Sequence, residues 1–294
     1  MLTKKTDHGV KFLFENRGIN QIKINSKSHA FQKHKNTEIE IGSGLRLIKN
    51  SSFKHCLFRR ETFKDMTIKN CTFEECSFVA CSFEDVEFHS CKILNSLFNK
   101  CRFNQVYLDP RYLKFNFYEW KMKASNIGTS LFQKLEANSR NLYQEDFAKI
   151  AHIRFRRFQR WQWIFDSKQT KSPFQKITLY AKFAKDFVFD VVLLYGYGLY
   201  RALIQTAFAI YLGTLCLEYF WDVLKITSNA TGLVLDSENF WQKIYFLTVT
   251  ATTLGYGDIS PHSNEGMFLV VILLMFSVIW TATLTALIVK RLVK

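Results

Sequence analysis

From residue 53 a large apolar side chain recurs at every fifth position: Phe53, Phe58, Phe63, Ile68, Phe73, Phe78, Phe83, Phe88, Ile93, Phe98, Phe103 and Leu108. A helix would scatter a period of five around its circumference, and a flat strand needs a period of two. Neither regular element accommodates the pattern. A fixed internal period points instead to a repeat architecture, in which each unit buries its face against the next. Two positions before many of these residues stands a small or apolar one: Cys56, Cys71, Cys76, Cys81, Val86, Cys91, Ser96 and Cys101.

The segment FEECSFVACSFEDVEF and its neighbours, roughly residues 46–110, resemble the pentapeptide-repeat family. The resemblance implies a right-handed quadrilateral β-helix over 46–125, four pentapeptides to a square coil, with the central residue and the one two before it pointing inward. Side chains 20 residues apart then stack, one ~4.8 Å backbone step above another. Four ladders are expected, 53/73/93, 58/78/98, 63/83/103 and 68/88/108, with cysteines paired as 56/76, 71/91 and 81/101. No CxxC or Cys/His spacing suggests zinc, and thiols in a cytosolic coil are expected to be reduced, buried hydrophobes. Such a rod is chemically inert. Some members of that family mimic DNA with an acidic surface, which the basic charge of this half disfavours; a spacer, an assembly surface or a ligand sensor stay open.

Charge divides the 294-residue chain. Residues 1–201 carry a net charge of +16, residues 222–265 a net charge of −3, and Lys290, Arg291 and Lys294 make the tail basic again. Two apolar stretches separate these regions: ALIQTAFAIYLGTLCLEYFW (202–221), with Glu218 as its only charge, and GMFLVVILLMFSVIWTATLTALIV (266–289), with none. Each is long enough to cross a ~30 Å hydrocarbon core as a helix. The basic flanks predict a multi-pass plasma-membrane protein with both termini cytosolic and 222–265 outside. MLTKKTDHGVKFLFENRGIN at the N-terminus (within the segment 1–45) has no apolar core, so a cleaved signal peptide is not expected.

Between the repeats and the first span, residues 126–200 read as a helical linker. Leu131, Leu135, Phe147, Ile150 and Ile153 recur at helical spacing, which predicts one or two helices over 130–165. Arg154, Arg156, Arg157 and Arg160, interleaved with Phe155, Phe158, Trp161 and Trp163, suit an anionic lipid surface better than nucleic acid, given the spans downstream. Residues 176–195 set Phe183, Phe187, Val191 and Leu194 against Lys182, Lys185 and Asp186, the pattern of an interfacial helix leading into the membrane.

TTLGYGD, residues 252–258, lies between the two spans and follows the apolar stretch ENFWQKIYFLTVTAT, which predicts a short helix over 238–251 capped by Asp236 or Ser237. To pass K⁺ selectively a pore must replace the ion's water shell with oxygens. Backbone carbonyls can do this if all point inward, which needs alternating, partly left-handed residues; Gly255 and Gly257 supply that freedom. TVTATTLGYGD resembles the pore signature of two-span K⁺ channels, with Leu254 where the TVGYG filter has Val. The resemblance implies an all-α pore domain over 201–294 and a homotetramer, since one loop per chain cannot close a ring. It assigns K⁺ sites to Thr253, Leu254, Gly255 and Tyr256, continuing to Gly257. It gives supporting roles to Thr252, Asp258, Val249 and Tyr245, and a cavity lining to Ser277, Thr281 and Thr285. Three departures bear on gating: Val249 replaces a carboxylate that holds the terminal Asp, Phe246 replaces an aromatic donor, and Ser277 replaces a hinge glycine. The earlier YGYG, 195–198, has no preceding Thr and reads as a glycine-rich joint.

A tetrameric K⁺-selective channel with a cytosolic regulatory or assembly domain is therefore expected, needing no cofactor beyond the permeant ion. The alternative is a membrane-anchored repeat scaffold with a non-conducting or weakly selective pore. Scattered histidines and the absence of H-E-x-x-H, Walker or G-x-S-x-G motifs argue against an enzyme.

Overall fold

The computed structural model describes residues 20–24, 28–30, 32–35, 37–116, 124–224, 226–228 and 239–292. Asp236, Ser237 and the first 19 residues lie outside that set. The chain divides into two compact units, Met1–Phe187 and Val188–Lys294.

The first unit is a β-solenoid whose coils stack in parallel. Phe53 pairs with Phe73, Phe58 with Phe78, Phe63 with Phe83, Phe78 with Phe98 and Phe83 with Phe103, the expected 20-residue register. The ladder forces their rings face to face: Phe58 and Phe78 lie 4.6 Å apart at 4°, and Phe78 and Phe98 4.6 Å apart at 7°. Isolated aromatic pairs prefer offset or edge contacts. Here the strand spacing sets the ring spacing, and edge contacts appear instead between neighbouring ladders, as between Phe58 and Phe73 at 64°.

The solenoid starts well before residue 46. Asn20–Ile24 pairs with Thr37–Ile41, Ser28–Ala30 with Leu47–Lys49, and Lys33–Lys35 with Ser52–Lys54. These registers run 17 to 19 residues rather than 20, which explains why the five-residue period is not legible there. His34 occupies the first rung of one ladder, stacked on Phe53 at 5.3 Å.

The corners of the coil carry a backbone constraint. Asn50, His55, Arg60, Asp65, Asn70, Glu75, Ala80, Asp85, Ser90, Asn95, Lys100 and Gln105 all have φ between 48° and 58°. A non-glycine residue in the left-handed region costs about 1 kcal/mol or more. Many corners recover part of that through an inter-coil hydrogen bond: Arg60 N–H donates to Val79 O at 2.9 Å, Glu75 N–H to Leu94 O at 2.8 Å, and Ala80 N–H to Asn99 O at 2.8 Å.

All six solenoid cysteines are buried free thiols. Five of them donate to carbonyls of the neighbouring coil, among them Cys76 to Phe53 O at 3.3 Å, Cys91 to Ile68 O at 3.4 Å and Cys101 to Phe78 O at 3.3 Å. Burial pushes the Cys91 thiol up to about 12 and raises Cys71 as well.

Two helices close the far end of the rod, α1 (Ser125–Asn141) and α2 (Glu145–Gln169). Leu131, Phe132, Leu135 and Ala151 join the solenoid core. The Asn138 amide completes the open backbone edge as a strand would, donating to Val106 O at 2.7 Å and accepting from Val106 N–H at 3.0 Å. Arg154 Nη1 donates to Pro110 O at 2.6 Å and Leu113 O at 2.5 Å. Gly128 is required by packing, because a Cβ there would lie 2.4 Å from the Phe158 ring.

The arginine cluster therefore does internal work that its sequence pattern did not reveal. Besides Arg154, Arg156 pairs with Asp186 of α3 (Pro173–Leu193) at 2.5 Å, and Arg160 stands 3.9 Å from the same carboxylate with Phe183 and Phe187 beneath its guanidinium. Asp186, expected on a polar face with Lys182 and Lys185, is 2% exposed and turned toward α2.

Ala80→Val places a β-branched residue at a left-handed corner without changing any buried contact, and should destabilise the solenoid by about 1–3 kcal/mol; a thermal melt of the full-length protein measures it. The cysteines set a pH dependence. An unfolded thiol ionises near ~8.5, whereas the buried Cys91 thiol keeps its proton to about 12. Between those values the unfolded chain binds fewer protons than the fold, so stability declines as pH rises. Cys56 and Cys81 shift the other way, held low by hydrogen bonds with the Cys76 and Cys101 thiols, so the Cys91 contribution is read as a difference: in melts from pH 7.5 to 10, Cys91→Ala should lose less stability with rising pH than the wild type.

Candidate functional site

The second unit is built on α4 (Leu199–Leu224), α5 (Phe240–Ala251) and α6 (Asn264–Leu292). Two segments, Leu199–Leu217 and Asn264–Val289, are long and apolar enough to cross a membrane, and most of their residues are bare in the single chain. Hydrocarbon accepts such faces where water would not. YGYG is a joint, as expected: Leu194, Tyr195 and Gly196 take φ of 46°, 55° and 82° between α3 and α4.

Close packing joins the three helices. A Cβ on Gly213 of α4 would lie 2.7 Å from Leu247 of α5, so the glycine sets their approach. Trp280 Nε1 of α6 donates to Thr206 Oγ1 of α4 at 2.9 Å. On α6, Gly266, Ser277 and Leu287 are buried in the chain, whereas Thr281 and Thr285 are exposed. The expected stripe of Ser277, Thr281 and Thr285 is thus divided: 100° per residue turns the two threonines progressively off the face that buries Ser277. All three hydroxyls donate to carbonyls of their own helix, Ser277 to Leu274 O at 2.8 Å, Thr281 to Ser277 O at 2.8 Å and Thr285 to Thr281 O at 2.9 Å.

Helix α5 begins at Phe240 rather than 238, because the Asn239 carboxamide accepts from Trp241 N–H at 3.1 Å and Gln242 N–H at 3.3 Å. It closes at Thr252, whose Oγ1 donates to Thr248 O at 2.7 Å, and Leu254 N–H returns to Val249 O at 3.1 Å.

The loop that follows alternates. Thr253, Gly255 and Gly257 have φ of 58°, 51° and 76°, and Leu254 and Tyr256 between them do not share that region. The two glycines were legible as left-handed positions. Thr253 was not, since a β-branched residue is disfavoured there. Every residue from Thr252 to Asp258 is exposed in the single chain, Leu254 by 60% and Tyr256 by 68%. Asp258 is held by Tyr245, whose hydroxyl donates to Oδ2 at 2.7 Å. Phe246 has no donor, as noted, but the residue before it supplies one. Val249 is half-buried and contributes only its carbonyl to the loop's start.

Residues 209–294 match the profile of a family described as ion channel. The second unit thus contains a region similar to that ion-channel family. No curated protein matches the chain. The chain thus joins a solenoid of stacked repeats to a channel pore region, a combination that points to transport rather than catalysis.

Tyr245→Phe removes the hydroxyl that holds Asp258 and leaves the ring in place. Amide exchange through residues 257–259 should therefore quicken relative to the wild type.

Proposed function

We propose that four copies of the channel region close around an axis to form a potassium-selective pore in the plasma membrane. The observation that carries this reading is the alternation of left-handed residues at Thr253, Gly255 and Gly257. Alternate backbone of this kind lets successive carbonyls face one side, where they can replace the water shell of a dehydrated cation. Thr253, Leu254, Gly255 and Tyr256 would offer the ion sites, continued by Gly257. A single loop supplies one quarter of such a ring, and the exposure of Leu254, Tyr256 and the α6 face suits burial against neighbouring copies.

Helix α5 ends at the loop, so the negative end of its dipole favours a cation beneath the filter. Thr281 and Thr285, exposed on α6, suit a water-filled cavity; Ser277 instead packs within its own chain. The charge asymmetry supports a cytosolic solenoid and tail, with the loop opening outward. Anionic headgroups would meet Lys182 and Lys185, exposed on α3 beside the bare side chains of Ile177, Val188 and Val191, rather than the arginines engaged within the first unit. The solenoid would act in regulation or assembly.

Full-length protein in liposomes should pass K⁺ down a gradient, exclude Na⁺ and be blocked by Ba²⁺. Gly255→Ala should abolish that flux or its selectivity, because a Cβ disfavours the left-handed backbone at φ 51°. Selective K⁺ flux through Gly255→Ala would overturn the filter assignment. Well-folded tetramers that carry no flux, with or without the solenoid, would favour a membrane-anchored scaffold.

A further inference from the structure

A short two-stranded ribbon stands beside the loop. Ile226–Ser228, beyond α4, pairs antiparallel with Ile259–Pro261, directly after Asp258. The register is Ile226 to Pro261, Thr227 to Ser260 and Ser228 to Ile259. We propose that this ribbon is the outer brace of the loop 252–258, and that Thr227 is a positioning residue holding the loop's exit in register. The proposal rests on the filter reading above.

A two-stranded ribbon this short is marginal by itself. It is anchored by packing. Ile226 is fully buried against Phe246 of α5, with Leu217 of α4, Val270 of α6 and Ile259 of the ribbon around them. One apolar cluster therefore ties the loop's exit to all three helices of the unit. Any lateral movement of Ile259 must open that cluster or break the strand pairing.

The polar half of the brace centres on Thr227, which is 7% exposed. Its Oγ1 lies 2.7 Å from His262 Nδ1 and donates weakly to Ser260 O at 3.5 Å. The side chain thus joins the first strand to residues on both sides of Pro261, which has no N–H of its own to offer. Across the loop's terminal carboxylate, the Tyr245 hydroxyl holds Asp258 from the α5 side. The exit is therefore gripped twice, by a phenol at Asp258 and by the ribbon from Ile259 onward.

The test uses full-length protein in liposomes, with two readouts that fail independently. Thr227→Val keeps the side chain's shape and deletes the hydroxyl. A net hydrogen bond of about 1 kcal/mol corresponds to about a fivefold change. Amide exchange across residues 255–260 should accelerate by about that factor. K⁺ flux should run down about fivefold sooner, with its initial K⁺-over-Na⁺ preference unchanged. Thr227→Ser, which restores the hydroxyl, should return both to wild-type values. Should Thr227→Val fail to assemble, His262→Ala removes the partner from an exposed position and should reproduce the faster exchange. Wild-type exchange in both Thr227→Val and His262→Ala, or failure of Thr227→Ser to rescue, overturns the brace. Wild-type protein that carries no K⁺ flux overturns the pore reading instead, and the exchange comparison still decides whether the ribbon holds the loop.

Discussion

Left-handed backbone is the constraint on which both units depend, and each uses it at a different interval. In the solenoid every fifth residue takes φ near +50°, turning the chain through the corner between short strands. In the channel loop every second residue does so, from Thr253 to Gly257. The conformation disfavours any residue with a Cβ, so it persists only where surrounding structure enforces it. In the solenoid the enforcement is collective: corner N–H groups such as those of Arg60, Glu75 and Ala80 donate to the next coil. This is why residues as different as Arg60, Glu75, Ala80 and Asn95 all serve as corners. The loop has glycine at two of its three left-handed sites, with Thr253 tied into the end of α5 by its N–H to Thr250 O at 3.1 Å.

A stack of coils leaves an open backbone edge and an open apolar core at each end. At the C-terminal end the protein closes both with the same pair of helices. Phe132 and Leu135 cover the core, while Asn138, Lys134 and Arg154 satisfy carbonyls that no further coil would reach, those of Val106, Cys101, Pro110 and Leu113. The arginines of α2 are consequently structural in part. Burying Asp186 and Arg160 is tolerable because the charges meet, Arg156 adds a second, half-buried cation, and the Phe183 and Phe187 rings lie under Arg160. Loss of one partner would leave an uncompensated buried charge, which gives this cluster more weight than an exposed ion pair of equal length.

The channel region obeys different rules. Its helices show solvent faces that would be intolerable in water, and several of its polar contacts stand at junctions: Trp280 to Thr206 between spans, Tyr245 to Asp258 at the loop, Thr227 to His262 at the ribbon. In hydrocarbon, apolar packing between helices gains little over contact with lipid. Small residues and hydrogen bonds therefore carry the specificity, as Gly213 does where α4 meets α5.

The fivefold period, the two apolar spans and TTLGYGD were sufficient to recognise a stacked-repeat rod and a channel region, because each is a local rule written in consecutive residues. The 20-residue register and the phenylalanine ladders followed directly from the period. The first coil did not, since its 17- to 19-residue registers break the count and its pairing is fixed by the coil above. Nor did the fate of the arginines, the division of Ser277 from Thr281 and Thr285, the Tyr245–Asp258 bond, or the ribbon from Ile226. Each depends on partners 13 to 44 residues apart or on the packing of one helix against another. Sequence by itself determined the repeat, the two spans and the glycine positions of the loop, because steric and hydrophobic periodicities act within a few residues. Only tertiary structure decided which polar side chains meet, because that depends on how far each helix turns toward its neighbour.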